Sequence, residues 1–205
     1  MQLESKLSKI IYVSCLTISL TALGSWAVLA HQDPPSGTTG QSKAERTDAR
    51  FVHDAALASM AEIQLARLAA ERAGSDVVKA FGERMIVQDG SIADQLKAAA
   101  QKENVTLPGR LSSRDQQTYD RLAHLSGSAF DRAYAQNMVD DHQKDLTAFQ
   151  TEANIGKDDS FRAFADQSLP MIQEHLNQAR EMFKTVSQTS SRTSSRASVS
   201  RSFGK

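Results

Sequence analysis

The sequence predicts an all-α fold: four long helices packed as a four-helix bundle of two helical hairpins, with a short extra helix in the middle connection. Three observations carry this. The stretch 47–186 is dominated by alanine, leucine, glutamine and charged residues, a helix-forming mixture. Four segments of it repeat apolar residues at three- and four-residue spacing. Turn-forming residues separate these segments at two tight junctions and one longer one.

Helix one is predicted from Thr47 to Ala73, with Val52, Ala56, Ser59, Ile63, Ala66 and Ala70 on a stripe of small residues. Gly74 can end it and Ser75 can cap the next. Helix two, Asp76 to Glu103, places Val78, Phe81, Met85, Ile92, Leu96 and Ala99 on one face. The run "NVTLPGRLSS" breaks the pattern through Pro108 and Gly109. Ser113 with Gln116 has the spacing of a capping box for a short helix, Arg114 to Leu125. Ser126, Gly127 and Ser128 open helix three, which runs to about Asn154 and stops at Gly156. Asp158 or Asp159 caps helix four, which continues to about Val186 with Pro170 inside it. A proline ring removes one helical hydrogen bond, so a kink is expected there. "FGERMIVQDGSIADQL" and "YAQNMVDDHQKDLTAF" align without gaps at an offset of 53 residues, a faint repeat consistent with two hairpins.

The ends read differently. Lys6 and Lys9 precede the uncharged run Ile10 to Ala30, which finishes Val28-Leu29-Ala30. That is the pattern of a signal peptide over 1–30, with His31 the expected mature N-terminus. The other reading is an uncut membrane anchor, since about 20 apolar residues span a bilayer. Either way the chain is expected to be exported, to the periplasm or cell envelope. Cys15 and Trp26 are single residues of their kinds and lie in this run, so the mature protein is expected to lack disulfides. Residues 31–46, rich in Pro, Gly and Ser, read as a linker. Residues 187–205 are Ser/Arg-rich and poor in apolar side chains, which predicts a disordered, solvated tail. A second reading lets its four basic residues touch anionic lipid or other polyanions.

The net charge of the 205 residues is zero, but the stretch 31–186 holds 18 basic and 23 acidic side chains. Such a mildly acidic body predicts no specific nucleic-acid binding. No nucleophile elbow, phosphate loop or zinc-binding HExxH helix is present.

Polar residues interrupt the apolar stripes at one height. In helix three Ala135, Met138, Val139, Leu146, Phe149 and Ala153 leave a gap that His142 fills, flanked by Asp141 and Asp145. In helix four Ile172, Ala179, Met182 and Val186 leave a gap at His175, beside Glu174. Helix two has its gap at Gln88 and Asp89, and helix one offers Glu62. A buried unpaired charge costs several kcal/mol, roughly, so these groups are expected to find each other, an ion or water. One reading is a structural hydrogen-bond network that sets helix register. The other is a transition-metal site (Fe, Mn or Zn) drawn from Glu62, Asp89, Asp141, His142, Glu174 and His175, whose imidazole and carboxylate donors suit such ions.

The segments "FVHDAALASMAEIQLARLAAERAGSDVVKAFGERMI", "FDRAYAQNMVDDHQKDLTAFQTEA" and "LPMIQEHLNQA" resemble the bacterial domain-of-unknown-function 4142 family, over about Phe51 to Met182. The resemblance implies a ferritin-like fold and an exported or membrane-associated bacterial protein, with no established reaction. Position by position, it points to Glu62, Asp141, His142, Glu174 and His175. The family usually reads Met-Val-x-Asp-His in helix two, where this chain has "MIVQDG" and no histidine. A ferritin-type di-iron site also takes Glu-x-x-His from two helices, where this chain has adjacent Asp141-His142 and Glu174-His175. Both departures argue against ferroxidase activity. The function expected from sequence is an exported cell-envelope bundle of structural or stress-related, non-enzymatic role. The alternative is a ferritin-like metal-binding or metal-dependent oxidoreductive protein.

Overall fold

The computed structural model describes residues 43–202, and side chains over 47–189. The predicted signal peptide or anchor at 1–30, and the linker as far as residue 42, lie outside the described residues. Five helices follow one another: α1 (Lys43–Arg72), α2 (Asp76–Lys102), α3 (Ser113–Ala123), α4 (Gly127–Ile155) and α5 (Asp159–Ser202). Among the described residues there is no strand, and no helix is long and apolar enough to cross a membrane.

Two boundaries differ from expectation. Helix α1 starts at Lys43, inside the predicted linker, because Lys43, Ala44, Glu45 and Arg46 are all good helix formers. Helix α5 runs to Ser202, through most of the segment whose composition predicts disorder. Extending an existing helix needs no new nucleus, and Pro and Gly are absent between Thr185 and Phe203. The cap of α3 also shifts by one residue. Ser112, not Ser113, is the N-cap: its Oγ accepts from the Asp115 amide at 3.1 Å and its hydroxyl donates to Asp115 Oδ2 at 2.6 Å. Asp115 supplies the reciprocal acid that Gln116 was expected to supply. Helix α5 remains continuous through Pro170.

Helices α1 and α2 pack as one hairpin and α4 and α5 as another; α1 meets α4, and α2 meets α5. The α1–α2 contact is close because Gly82 faces α1. A Cβ there would stand 2.8 Å from the Ala66 carbonyl oxygen and 3.0 Å from the Ala69 Cβ. The buried stripe of α1 runs Val52, Ala55, Ser59, Glu62, Ala66 and Ala69. It therefore leaves Ile63 half-buried and Ala70 exposed, where the small-residue stripe puts both inward.

Each hairpin's turn is held by an aspartate from the first helix of the other. Asp131 of α4 accepts from the Gly74 amide at 2.9 Å. Asp48 of α1 accepts from the Lys157 and Asp158 amides at 2.9 and 2.7 Å. Asp158 in turn caps α5, accepting from the Ser160 and Phe161 amides. Asp48 and Asp131 are 83 residues apart, and so are Gly74 and Lys157. The hairpins are thus equivalent with α1 matching α4. The repeat at offset 53 matches α2 to α4 instead and reflects shared amphipathic spacing rather than hairpin duplication.

The core has two apolar halves. One gathers Leu65, Phe81, Met85, Leu122, Phe130, Tyr134, Met138 and Met182. The other gathers Phe51, Ile92, Leu96, Phe149, Phe161, Phe164 and Leu176. In the second half Phe51 and Phe149 meet edge to face, centroids 5.0 Å apart. Between the halves lies a polar layer.

Candidate metal centre

The polar layer is built by helical periodicity. His142 falls one turn after Met138 and one before Leu146 on the buried face of α4, and His175 falls between Ile172 and Ala179 on α5. Asp89 follows Met85 by one turn on α2, and Glu62 follows Ser59 on α1. All four are almost wholly buried: Glu62 is 6%, Asp89 2%, and His142 and His175 each 1% exposed.

Each imidazole is held by one hydrogen bond. His142 Nδ1–H donates to the Met138 carbonyl at 2.9 Å, one turn back along its own helix. His175 Nε2–H donates to the Gln88 side-chain oxygen at 3.0 Å. These bonds fix each tautomer and leave His142 Nε2 and His175 Nδ1 as bare lone pairs. Both are buried without a hydrogen-bond partner, as are Asp89 Oδ2 and Glu62 Oε1. Ligand atoms of Asp89, His142 and His175 lie within 4.8 Å of one another. His175 Nδ1 stands 3.4 Å from Asp89 Oδ1. Two ligands each about 2.1 Å from one tetrahedral ion stand about 3.4 Å apart, so that spacing suits a shared cation. The rings themselves pack edge to face, centroids 5.3 Å apart. A small cavity of ≈ 10 Å³ touches Glu62, Asp89, His142, Asp145 and His175. That is room for about one water or one ion.

Burial dominates the electrostatics. It lowers the pKa of His142, and with His142 and Arg84 nearby it takes that of His175 down to about 3. The same loss of solvent, with Asp145 and Asp89 nearby, holds Glu62 well above the ordinary carboxyl range. Asp89 is pushed up to about 7 by burial and by Asp145. Asp145 is pushed up to about 6 by burial, offset by a hydrogen bond with Glu62. Both imidazoles are therefore neutral and ligand-ready at physiological pH, and burial shifts the acids toward their protonated form, a shift that a bound cation would oppose.

The structure does not bring every sequence-predicted site residue together. Asp89, His142 and His175 converge. Glu62 lies beside them, its Oε1 3.6 Å from His142 Nδ1, too long for a hydrogen bond. Asp141 and Glu174 are outside the centre. Each is one residue, about 100°, round the helix from an inward histidine. Asp141 accepts from Lys144 at 2.8 Å and from Asn137 at 2.5 Å, and exposed Glu174 accepts from Gln178 at 2.7 Å. Asp145, noted in the sequence only as flanking the seam, lines the cavity instead. Gln88 enters as the partner that orients His175, and Asp89 stands where the helix-two histidine is absent. Asp48 and Asp131, also buried, were not legible from spacing, because their partners are distant in sequence.

The similarities to other proteins agree with this architecture. A solved structure, the crystal structure of a DUF305 fragment from Deinococcus radiodurans, superposes with a TM-score of 0.58 at 13% identity. The match covers 69% of this chain and 96% of that one. At that identity the likeness speaks for the helical fold alone. No functionally curated protein matches the chain. The model of the domain of unknown function DUF4142 matches residues 33–182. With the helical hairpins, the buried histidines and most of the chain inside that match, this protein belongs to the DUF4142 family.

Proposed function

We propose that this chain is an exported, cell-envelope, ferritin-like bundle whose core binds one divalent transition-metal ion through Asp89, His142 and His175. The observation that carries the reading is the pair of bare ring nitrogens. One nitrogen of each histidine is spent on a carbonyl or amide oxygen and the other is left buried and unpartnered, that of His175 standing 3.4 Å from Asp89 Oδ1. Buried polar atoms are nearly always satisfied, so several orphaned atoms around one small cavity point to a missing ligand. Histidine ligands characteristically donate their second N–H to an oxygen in this way. Two imidazoles and one carboxylate suit zinc, iron or manganese, with Glu62 and water available to complete the coordination.

Elemental analysis of the purified chain, as isolated and after incubation with zinc, manganese or iron(II) and removal of excess, tests this. About one ion per chain is expected, falling to a small fraction in His142→Leu and His175→Leu. Metal far below one per chain after reconstitution sinks the reading. It would leave a structural polar layer, which the hydrogen-bonded Glu62–Asp145 pair favours as a second reading. Export is tested separately by the intact mass of the cell-derived protein: cleavage after Ala30 removes Trp26 and with it tryptophan fluorescence.

A further inference from the structure

A second, larger opening borders the centre. Between α1 and α4 runs a cleft of ≈ 800 Å³, walled by small side chains, Ala58 and Ala61 on α1 and Ala148 on α4. These helices come from opposite hairpins and pack less closely than the helices within each hairpin. The cleft and the inner cavity share Ala55, Ala58, Glu62, Asp145 and Phe149, so the two spaces abut at a common floor. The charge pattern changes with depth. Outside that floor the cleft carries both signs, Arg50, Arg114 and Lys144 against Asp54, Asp115, Asp141 and Glu152. The shared floor carries only the two carboxyls. They sit 83 residues apart at matching positions of the two hairpins, and Glu62, more than nine-tenths buried, carries an unpartnered Oε1 3.6 Å from Nδ1 of His142, which lines the inner cavity.

We propose that a divalent cation reaches the Asp89, His142 and His175 ligands through the α1–α4 cleft, with Glu62 and Asp145 as a transit site that receives it first. The inference rests on the metal-centre reading above. A hydrated cation cannot enter a space sized for one water without shedding its shell. Oxygen donors on the floor replace departing waters before the imidazole nitrogens are reached, which lowers the cost of that step. The acid-only floor selects cations from anions.

The test follows loading rather than final content. Stopped-flow absorption records cobalt(II) uptake by the metal-free full chain and its release to EDTA, in the unmodified protein and in Ala61→Leu, Ala148→Leu and Glu62→Gln. Ala61 and Ala148 line the cleft and not the inner cavity, so leucine there narrows the route without touching a ligand. Uptake and release are both expected to slow about tenfold in the leucine variants, with the final cobalt per chain unchanged. Glu62→Gln is expected to slow uptake as well. Circular dichroism verifies that each variant folds, and exposed Ala148 tolerates substitution if Ala61 does not. Rates within about twofold of the unmodified chain in all three variants overturn the route while leaving the centre standing. An unmodified chain that takes up no metal overturns the centre itself, and with it the route.

Discussion

His142 and His175, from helices of the same hairpin, meet edge to face in the core with planes at 77°, and each is tethered through one ring nitrogen, to the Met138 carbonyl and to the Gln88 side chain. This relationship makes the pair neutral, rigid and unsatisfied at once. Replacing either histidine with leucine is expected to change the stability of the metal-free chain by no more than about 1–2 kcal/mol in either direction, because a well-packed apolar residue can substitute for a buried polar group. In contrast, the rise in melting temperature on adding zinc should vanish in both variants, since a ligand stabilises only a fold that binds it. Thermal melts with EDTA and with zinc check both statements.

Glu152 gives a pH dependence independent of the centre. Its buried carboxyl is pushed up to about 7 by burial and by Asp48 and Asp158, and its Oε1 has no hydrogen-bond partner. The folded state thus holds this proton more tightly than the unfolded state. Its contribution to stability is fully present below the ordinary carboxyl range and is lost as pH rises through about 7. Glu152→Gln stays neutral throughout. It should match the parent at pH 4 and exceed it by about 1–2 kcal/mol at pH 8. Urea denaturation at the two pH values reads the difference, and an equal effect at both would refute the assignment.

Two aspartates hold the hairpin turns, but with unequal numbers of bonds. Asp48 accepts two amides and Asp131 one. Asp48→Ala should cost about 2–4 kcal/mol and Asp131→Ala about 1–3 kcal/mol, from bonds to a charged acceptor and the orphaned amides left behind. Hydrogen exchange should localise the loss: Lys157 and Asp158 for the first variant, Gly74 for the second.

Three glycines should respond differently to alanine. At Gly74 a Cβ would stand 2.7 Å from the Gly127 Cα, backbone against backbone, and at Gly82 it would meet the Ala66 carbonyl oxygen. Neither neighbour can move without shifting a helix or turn, so each substitution should destabilise by about 1–3 kcal/mol. Gly90 has no atom within 4 Å of its added Cβ and lies inside α2. Gly90→Ala should stabilise by about 0.5–1 kcal/mol through helix propensity alone. Equilibrium denaturation of the three variants tests the order.

The helices were legible because three- and four-residue spacing is a local signal: the gaps in the apolar stripes of α4 and α5 had to be filled by whatever stood at 142 and 175, and both are histidine. Asp89 and Glu62 were legible for the same reason. Which neighbouring carboxyl turns inward was not. Asp141 and Asp145 both flank the seam, and only the rotation of α4 against α1 sends Asp141 to Lys144 and Asp145 to Glu62.

By itself the sequence determined the helical class, the approximate helix junctions and the height at which polar groups enter the core, since each depends on residues within a few turns of one another. Tertiary packing decided the rest. The rotation of each helix brought three of the six candidate side chains together, and Asp48 and Asp131 found turns more than fifty residues away. The loose α1–α4 contact opened a cleft whose walls come from segments about ninety residues apart. Local spacing cannot encode such choices, because they depend on the simultaneous fit of surfaces that meet only when the chain has folded.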